Sequence, residues 1–186
     1  MRRTIRGVMA AAGIGALAAC AAAQQGPGTA GARPREFRVP IYSASNQQVG
    51  TFTATQISPE AVQLVVESSA MPEGVHGTHL HATGRCDAPE FTTAGPHLNP
   101  TNRQHGMRNP QGPHLGDLPN LVVSANGRGR IEATVRGSLT AGQAPLFDAD
   151  GTALVVHATA DDYVTDPSGN SGARIACGVM AAPTGG

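Results

Sequence analysis

Leu121-Val122-Val123-Ser124-Ala125-Asn126-Gly127-Arg128-Gly129-Arg130-Ile131-Glu132-Ala133-Thr134-Val135-Arg136 decides the fold class. Asn126-Gly127 between two apolar runs is a strong hairpin signal, because a tight turn between twisted strands needs the positive φ that Asn and Gly tolerate. Beyond the turn, Ile131, Ala133 and Val135 alternate with Arg130, Glu132, Thr134 and Arg136, so one strand face is buried and the charged positions face water. Upstream, Phe37, Val39 and Ile41 alternate with Glu36, Arg38 and Pro40, and Thr/Val-rich runs at 49–55 and 61–68 continue in the same manner. Residues 153–157 and 173–179 are two more strand-compatible runs. Between them, 82–119 and 158–172 carry turn chemistry with little strand signal, and loops of that length in a compact domain are usually functional. The expectation is an all-β sandwich or barrel with two long working loops.

The chain has 186 residues, 13 basic and 13 acidic side chains, the length of one domain with a real core. Every basic residue is Arg, which excludes lysine Schiff-base chemistry and P-loop phosphate binding. Tryptophan is absent, aromatics are 3% and charge is balanced, so nucleic acid is not an expected partner. No apolar run is long enough for a transmembrane span. Residues 1–19 read as a secretory signal peptide, a basic Met1–Arg6 followed by an apolar run, and Leu17-Ala18-Ala19-Cys20 resembles a bacterial lipobox with lipidation of Cys20. Residues 20–34 form a flexible tether of about 20 Å r.m.s. reach, the working domain is 35–180, and 181–186 is a short flexible tail. The expected location is the cell envelope, as an outer-membrane lipoprotein facing the periplasm and touching the membrane only through Cys20. The mature chain carries 10 Arg against 13 acids, a net charge of −3. Cys86 and Cys177 can persist as a disulfide in such an oxidising compartment.

Six of the seven histidines fall between residues 76 and 114. His79 and His81 stand two apart on a strand, so both rings leave one face and can hold one ion. His97, His105 and His114 follow in the loop, with Asp117 three residues after His114, and His157 ends a distant strand. Imidazole-rich sets suit copper, zinc, iron and nickel, and three His with one Asp give zinc a closed tetrahedral shell.

Four stretches carry a resemblance: Gly74-Val75-His76-Gly77-Thr78-His79-Leu80-His81, Gly95-Pro96-His97-Leu98-Asn99-Pro100, Gly112-Pro113-His114-Leu115-Gly116-Asp117-Leu118 and Gly172-Ala173-Arg174-Ile175-Ala176-Cys177-Gly178. In this order they closely resemble copper–zinc superoxide dismutase, the exported bacterial branch especially. The resemblance implies an eight-stranded Greek-key β-barrel, a flattened sandwich, that disproportionates superoxide with one copper and one zinc per subunit. It implies copper ligands His79, His81, His97 and His157, zinc ligands His97, His105, His114 and Asp117, and a bridging role for His97. His76 matches a structural histidine bonded to backbone, and Asp161 a carboxylate that orients His79 and His105. Cys86–Cys177 matches the family disulfide, and Arg174 the arginine that attracts the anion. Family members occur as monomers and homodimers.

One departure concerns the loop before Arg174. Well-known members carry lysines there that steer superoxide, whereas residues 158–173 contain Asp161, Asp162 and Asp166 and no basic residue. Arg85, Arg103 and Arg108 are the candidates to replace them. A metal-holding protein without turnover needs the same ligands but not Arg174, and a structural surface lipoprotein needs none of these residues.

Overall fold

The computed structural model describes residues 35–139, 146 and 148–181; the expected signal peptide, lipidated Cys20, tether and residues 182–186 of the tail lie outside them. Among the described residues the chain forms nine strands and one 3₁₀ turn, Thr92–Ala94. The strands are β1 (Glu36–Ser43), β2 (Gln48–Ser58), β3 (Ala61–Ser68), β4 (Gly74–His76), β5 (Thr78–His81), β6 (Leu121–Val123), β7 (Gly129–Arg136), β8 (Thr152–His157) and β9 (Arg174–Met180). Seven make one antiparallel sheet in the order β5-β8-β9-β1-β2-β3-β7, and β4 pairs with β6. This curled, almost helix-free sheet is the all-β architecture expected.

The period-two runs become strands for the reason the sequence suggests. In β7, Arg130, Glu132, Thr134 and Arg136 are exposed while Val135 is buried. In β3, Val62, Leu64 and Val66 are buried and join Ile41, Phe52, Leu80, Leu121 and Leu154 in the main core. The Asn126-Gly127 turn also forms: Gly127, at φ 77°, donates its N–H to the Ser124 carbonyl at 2.8 Å. Its flanking strands, however, do not pair with each other. The three-residue β6 pairs with β4, whereas β7 pairs along its whole length with β3. The turn therefore joins two sheets, and Gly129 leaves no room for a side chain against the Val122 carbonyl at that corner.

Gly77 explains why nine segments replace the expected eight. It separates β4 from β5, and a Cβ there would lie 2.7 Å from the Ser171 Cβ. Its N–H donates to the Thr159 carbonyl at 2.8 Å and its own carbonyl accepts the His157 N–H at 2.8 Å. One strand is thus cut into two pieces serving two sheets, at the point where loop 158–173 crosses it.

Strand β8 is buried at every position. Leu154 and Val156 enter the main core, while Ala153 and Val155 pack on the opposite face with Phe91, Ala94 and Cys177. The sheet is covered on both faces here, and the outer cover is the loop 82–119. The Cys86–Cys177 disulfide fastens that cover to β9, with a Cα–Cα distance of 5.8 Å and a sequence separation of 91. Closing so long a loop in the unfolded chain accounts for about 4–5 kcal/mol in the chain-entropy picture.

Candidate metal centre

Strand alternation places the histidines. In the β5–β8 ladder His79 is opposite Val155 and His81 opposite Ala153, whereas Leu80 is opposite Leu154. Leu80 therefore points into the main core, and His79 and His81 point to the outer face beneath the loop. His157 continues the Ala153–Val155 side of β8 and reaches the same space. The free edge of β5 is paired by the loop itself. Leu80 N–H donates to the Gly116 carbonyl at 2.8 Å, Leu98 N–H to the Leu80 carbonyl at 2.8 Å, and bridges align His81 with His97 and His79 with Asp117. All of these side chains are buried.

Each ring shows one nitrogen bonded and the other bare. His81 Nδ1 donates to the Gly95 carbonyl at 2.8 Å, His157 Nδ1 to the Gly172 carbonyl at 3.1 Å, and His79 Nε2 to Asp161 Oδ2 at 2.9 Å. These acceptors set the tautomer, leaving a lone pair on the other nitrogen. Those others, His79 Nδ1, His81 Nε2, His157 Nε2 and also His97 Nε2, are buried with no hydrogen-bond partner. Buried polar atoms are rarely left unpaired, and here His79, His81, His97 and His157 each offer a nitrogen within 4.8 Å of the others. Burial pushes His79 down to about 4, His81 to about 2 and His157 to about 3, so all three are neutral near pH 7. A convergent set of bare, neutral imidazole nitrogens is a transition-metal site, and the donor set fits copper.

The second cluster surrounds Asp117. Its Oδ1 lies 3.1 Å from His97 Nδ1, 3.0 Å from His105 Nδ1 and 3.3 Å from His114 Nδ1, and the latter is 3.4 Å from His97 Nδ1. A tetrahedral zinc with bonds of 2.0–2.1 Å needs donor atoms about 3.3–3.4 Å apart, so the spacing fits that ion. The other oxygen, Oδ2, accepts the N–H groups of Gly106 at 2.8 Å and His114 at 3.0 Å. Burial by itself would raise the Asp117 carboxyl, but its bonds with His105 and His97 hold it well below the ordinary range. His105 shows the complementary effect: burial opposes its charge, yet Asp117 and Asp161 raise it to about 9. Proximity alone groups His79 with His97, His105 and Asp117. The His79 Nε2 is already committed to Asp161, however, so its bare Nδ1 belongs to the first set, and His114 completes the second.

Residues 48–180 match the family model for copper/zinc superoxide dismutase. This chain belongs to the copper/zinc superoxide dismutase family. A copper–zinc superoxide dismutase of Aquifex aeolicus is 38% identical over 143 residues, covering 75% of this chain and 84% of the relative. The superoxide dismutase-like protein YojM of Bacillus subtilis is 38% identical over 145 residues, covering 76% and 74%. In three dimensions, a superoxide dismutase-like protein from Bacillus subtilis gives a TM-score of 0.72 at 38% identity, over 77% of this chain and 97% of that one. The Cu/Zn superoxide dismutase from Brucella abortus gives 0.60 at 29% identity, over 78% and 99%.

Copper and zinc, the metals of the family, thus meet donor sets of matching chemistry in this chain. Asp161 lies between the two clusters, with Oδ2 on His79 Nε2 and Oδ1 accepting from His105 Nε2 at 3.0 Å. The His76 ring spans the carbonyls of His157 (Nδ1, 2.8 Å) and Pro72 (Nε2, 3.0 Å) and joins neither cluster. Arg174, opposite His157 in the β8–β9 ladder, donates Nη1 to the Phe91 carbonyl and Nη2 to the Gly95 carbonyl, both at 2.7 Å. Gly95 O therefore serves both a copper-side histidine and the arginine, which ties the cation to the metal set.

Sequence reasoning missed the carbonyls of Phe91, Gly95 and Gly172, because backbone acceptors leave no trace in residue identity. It also missed Asn120, whose Nδ2 donates to the Asp161 carbonyl at 2.9 Å and whose Oδ1 accepts the Asp161 N–H at 2.8 Å. Of the candidate steering residues, Arg85 is paired with Asp87 and Arg108 lies 5.2 Å from the centre of the Tyr163 ring.

Proposed function

We propose that this protein disproportionates superoxide, taking two superoxide anions and two protons to one O2 and one H2O2, in the cell envelope. The observation that carries the reading is the set of four buried, unpartnered imidazole nitrogens on His79, His81, His97 and His157. Bound there, copper supplies the one-electron cycling that the reaction needs and that zinc lacks, while zinc at His97, His105, His114 and Asp117 supplies a fixed charge.

The chain's own residues do the rest. Arg174, clamped by two carbonyls, presents a fixed positive charge to the small anion. His97 is the residue common to both ligand sets: its Nδ1 faces Asp117 and its Nε2 faces the other three rings. With both ions held, its ring would carry no proton of its own, and Nε2 would be the atom that takes up and hands on the proton that peroxide requires. Asp161 keeps His79 and His105 oriented from behind. The disulfide and the cover it fastens keep the histidines under a dry roof.

The envelope location is supported by Leu17-Ala18-Ala19-Cys20 after a basic and apolar leader, and by a disulfide, which persists in oxidising compartments. Cys20→Ser should move the protein from the membrane to the soluble fraction, since the acyl chains carry the anchoring; unchanged partitioning would rule the anchor out. Copper and zinc content measured with superoxide turnover on one purified sample tests the activity. Turnover that survives removal of copper would refute the reading, and full copper without turnover would make this a metal-holding protein.

A further inference from the structure

Loop 158–173 contains three aspartates, and two have evident employment. Asp161 bridges His79 and His105. Asp162 accepts the N–H groups of Val164 at 2.9 Å and Thr165 at 2.8 Å, the Thr165 hydroxyl at 2.6 Å and Asn170 Nδ2 at 3.0 Å, so it folds the loop on itself. Asp166 does neither. Its Oδ1 reaches across to the other loop, accepts the backbone N–H of His105 at 2.5 Å and lies 3.8 Å from His114 Nε2.

We propose that Asp166 is a positioning residue of the zinc side: it pins the His105 backbone, faces the outward nitrogen of His114, and so couples closure of loop 158–173 to retention of the ion. This rests on the zinc ligand set given above. His105 is then gripped by three carboxylates, Asp161 on Nε2, Asp117 beside Nδ1 and Asp166 on the main chain. Without the last, the ring could still meet Asp161, but the backbone that aims it would be free to swing. A distance of 3.8 Å is too long for a direct hydrogen bond. At His114 the carboxylate therefore acts through its charge or a bridging water, favouring the proton on Nε2 and leaving Nδ1 free for the ion. The Asp166 side chain is half exposed, so that charge is well screened and the His105 bond carries most of the effect.

The test is zinc retention by the metal-loaded protein in competition with a chelator, with amide hydrogen exchange followed at His105. Asp166→Ala should weaken zinc roughly tenfold, the low end of the loss seen when an outer partner of a metal ligand is removed, and speed exchange at His105, with copper content unchanged. Asp166→Asn keeps an oxygen for the His105 N–H but no charge, so it should fall between the two. Asp87→Ala removes a similarly exposed aspartate whose side chain pairs with Arg85 rather than with a zinc-side residue, and should leave zinc retention unchanged. Wild-type zinc retention in Asp166→Ala, or equal loss of copper and zinc, would overturn the role. Asp117→Ala separates this from the ligand assignment. If it too retains zinc, the ligand set is wrong; if it loses zinc while Asp166→Ala does not, only the positioning role fails.

Discussion

Gly169 is the position where the smallest substitution should do the most specific damage. It sits at φ 64°, and a Cβ there would overlap Asp161 Oδ1 and lie 2.6 Å from Asp161 Cγ and 2.7 Å from His105 Nε2. A methyl group needs well over 3 Å from each, so Gly169→Ala must displace either the loop or the Asp161–His105 hydrogen bond by about 1 Å. The left-handed backbone alone costs alanine about 1–2 kcal/mol. Gly172 supplies the control: it has φ 78°, but its nearest neighbour to a Cβ is Thr159 Oγ1 at 3.2 Å. Gly172→Ala should therefore lose the backbone share of stability and keep its zinc; its carbonyl accepts from His157 Nδ1, so zinc rather than copper is the readout for this pair. Gly169→Ala should lose a similar share and, because Asp161 orients a ligand of each set, also weaken metal binding by about 10–100-fold. Thermal unfolding of both metal-free variants and chelator competition on both loaded variants read the two effects separately. Equal zinc affinity in Gly169→Ala and Gly172→Ala would refute the argument that Asp161 works through this contact.

Arg174→Ala should lower kcat/KM by about tenfold or more with both metals bound, since cationic focusing is worth roughly 10–10³-fold in encounter rate; wild-type kcat/KM at low salt would remove Arg174 from the site. His157→Ala should lose copper and turnover while zinc remains, and Asp117→Ala should lose zinc first, both read by metal analysis of the purified variants. Asp162 is held below its usual 3.8, at about 2, by bonds from Thr165 and Val164. Its contribution to loop order is thus complete above about pH 4 and lost as pH falls through about 2. The amide resonances of Val164 and Thr165 should titrate with a midpoint near 2, and a midpoint near 4 would show that those bonds do not form.

The strands were legible because burial on one face writes itself into every second residue: Ile131–Val135 and Val62–Val66 could be read directly. The convergent histidines were legible too, because imidazole at the end of a strand or clustered in a loop has few uses without a metal. What escaped was everything the backbone does. Nothing in the residue at 95 says that its carbonyl will serve both His81 and Arg174, and nothing in Asn126-Gly127 says that its two strands will part into different sheets. Glycines such as Gly77 and Gly169 look like loop filler until another side chain is found in the space where their own would stand. Asp166 reads in the sequence only as negative charge, since sequence separation hides its partner 61 residues away.

The placement of these aspartates decides how the site attracts its substrate. Three aspartates in the loop beside an anion-handling centre look self-defeating, yet Asp161 faces two histidines from behind, Asp162 is turned into its own loop and Asp166 faces the zinc side. Their charge is thus spent on order. The cation nearest the copper set is bonded in place by two carbonyls, while Arg85 is neutralised by Asp87 and Arg108 keeps its charge over the Tyr163 ring. Residues 35–180 carry 9 Arg against 13 acids, a net charge of −4 before the two divalent metals are counted, so the scattered acids repel superoxide at long range and the attraction must come from within the last few ångströms. A Debye length of about 10 Å at 0.1 M salt leaves such a short-range pull largely intact and screens the repulsion beyond it. The activity of this protein should accordingly fall less steeply with added salt up to 0.1 M than that of a dismutase whose cations lie further from its copper. A steep fall over that range would mean that Arg108, or Arg103 beside it in the chain, acts at a distance.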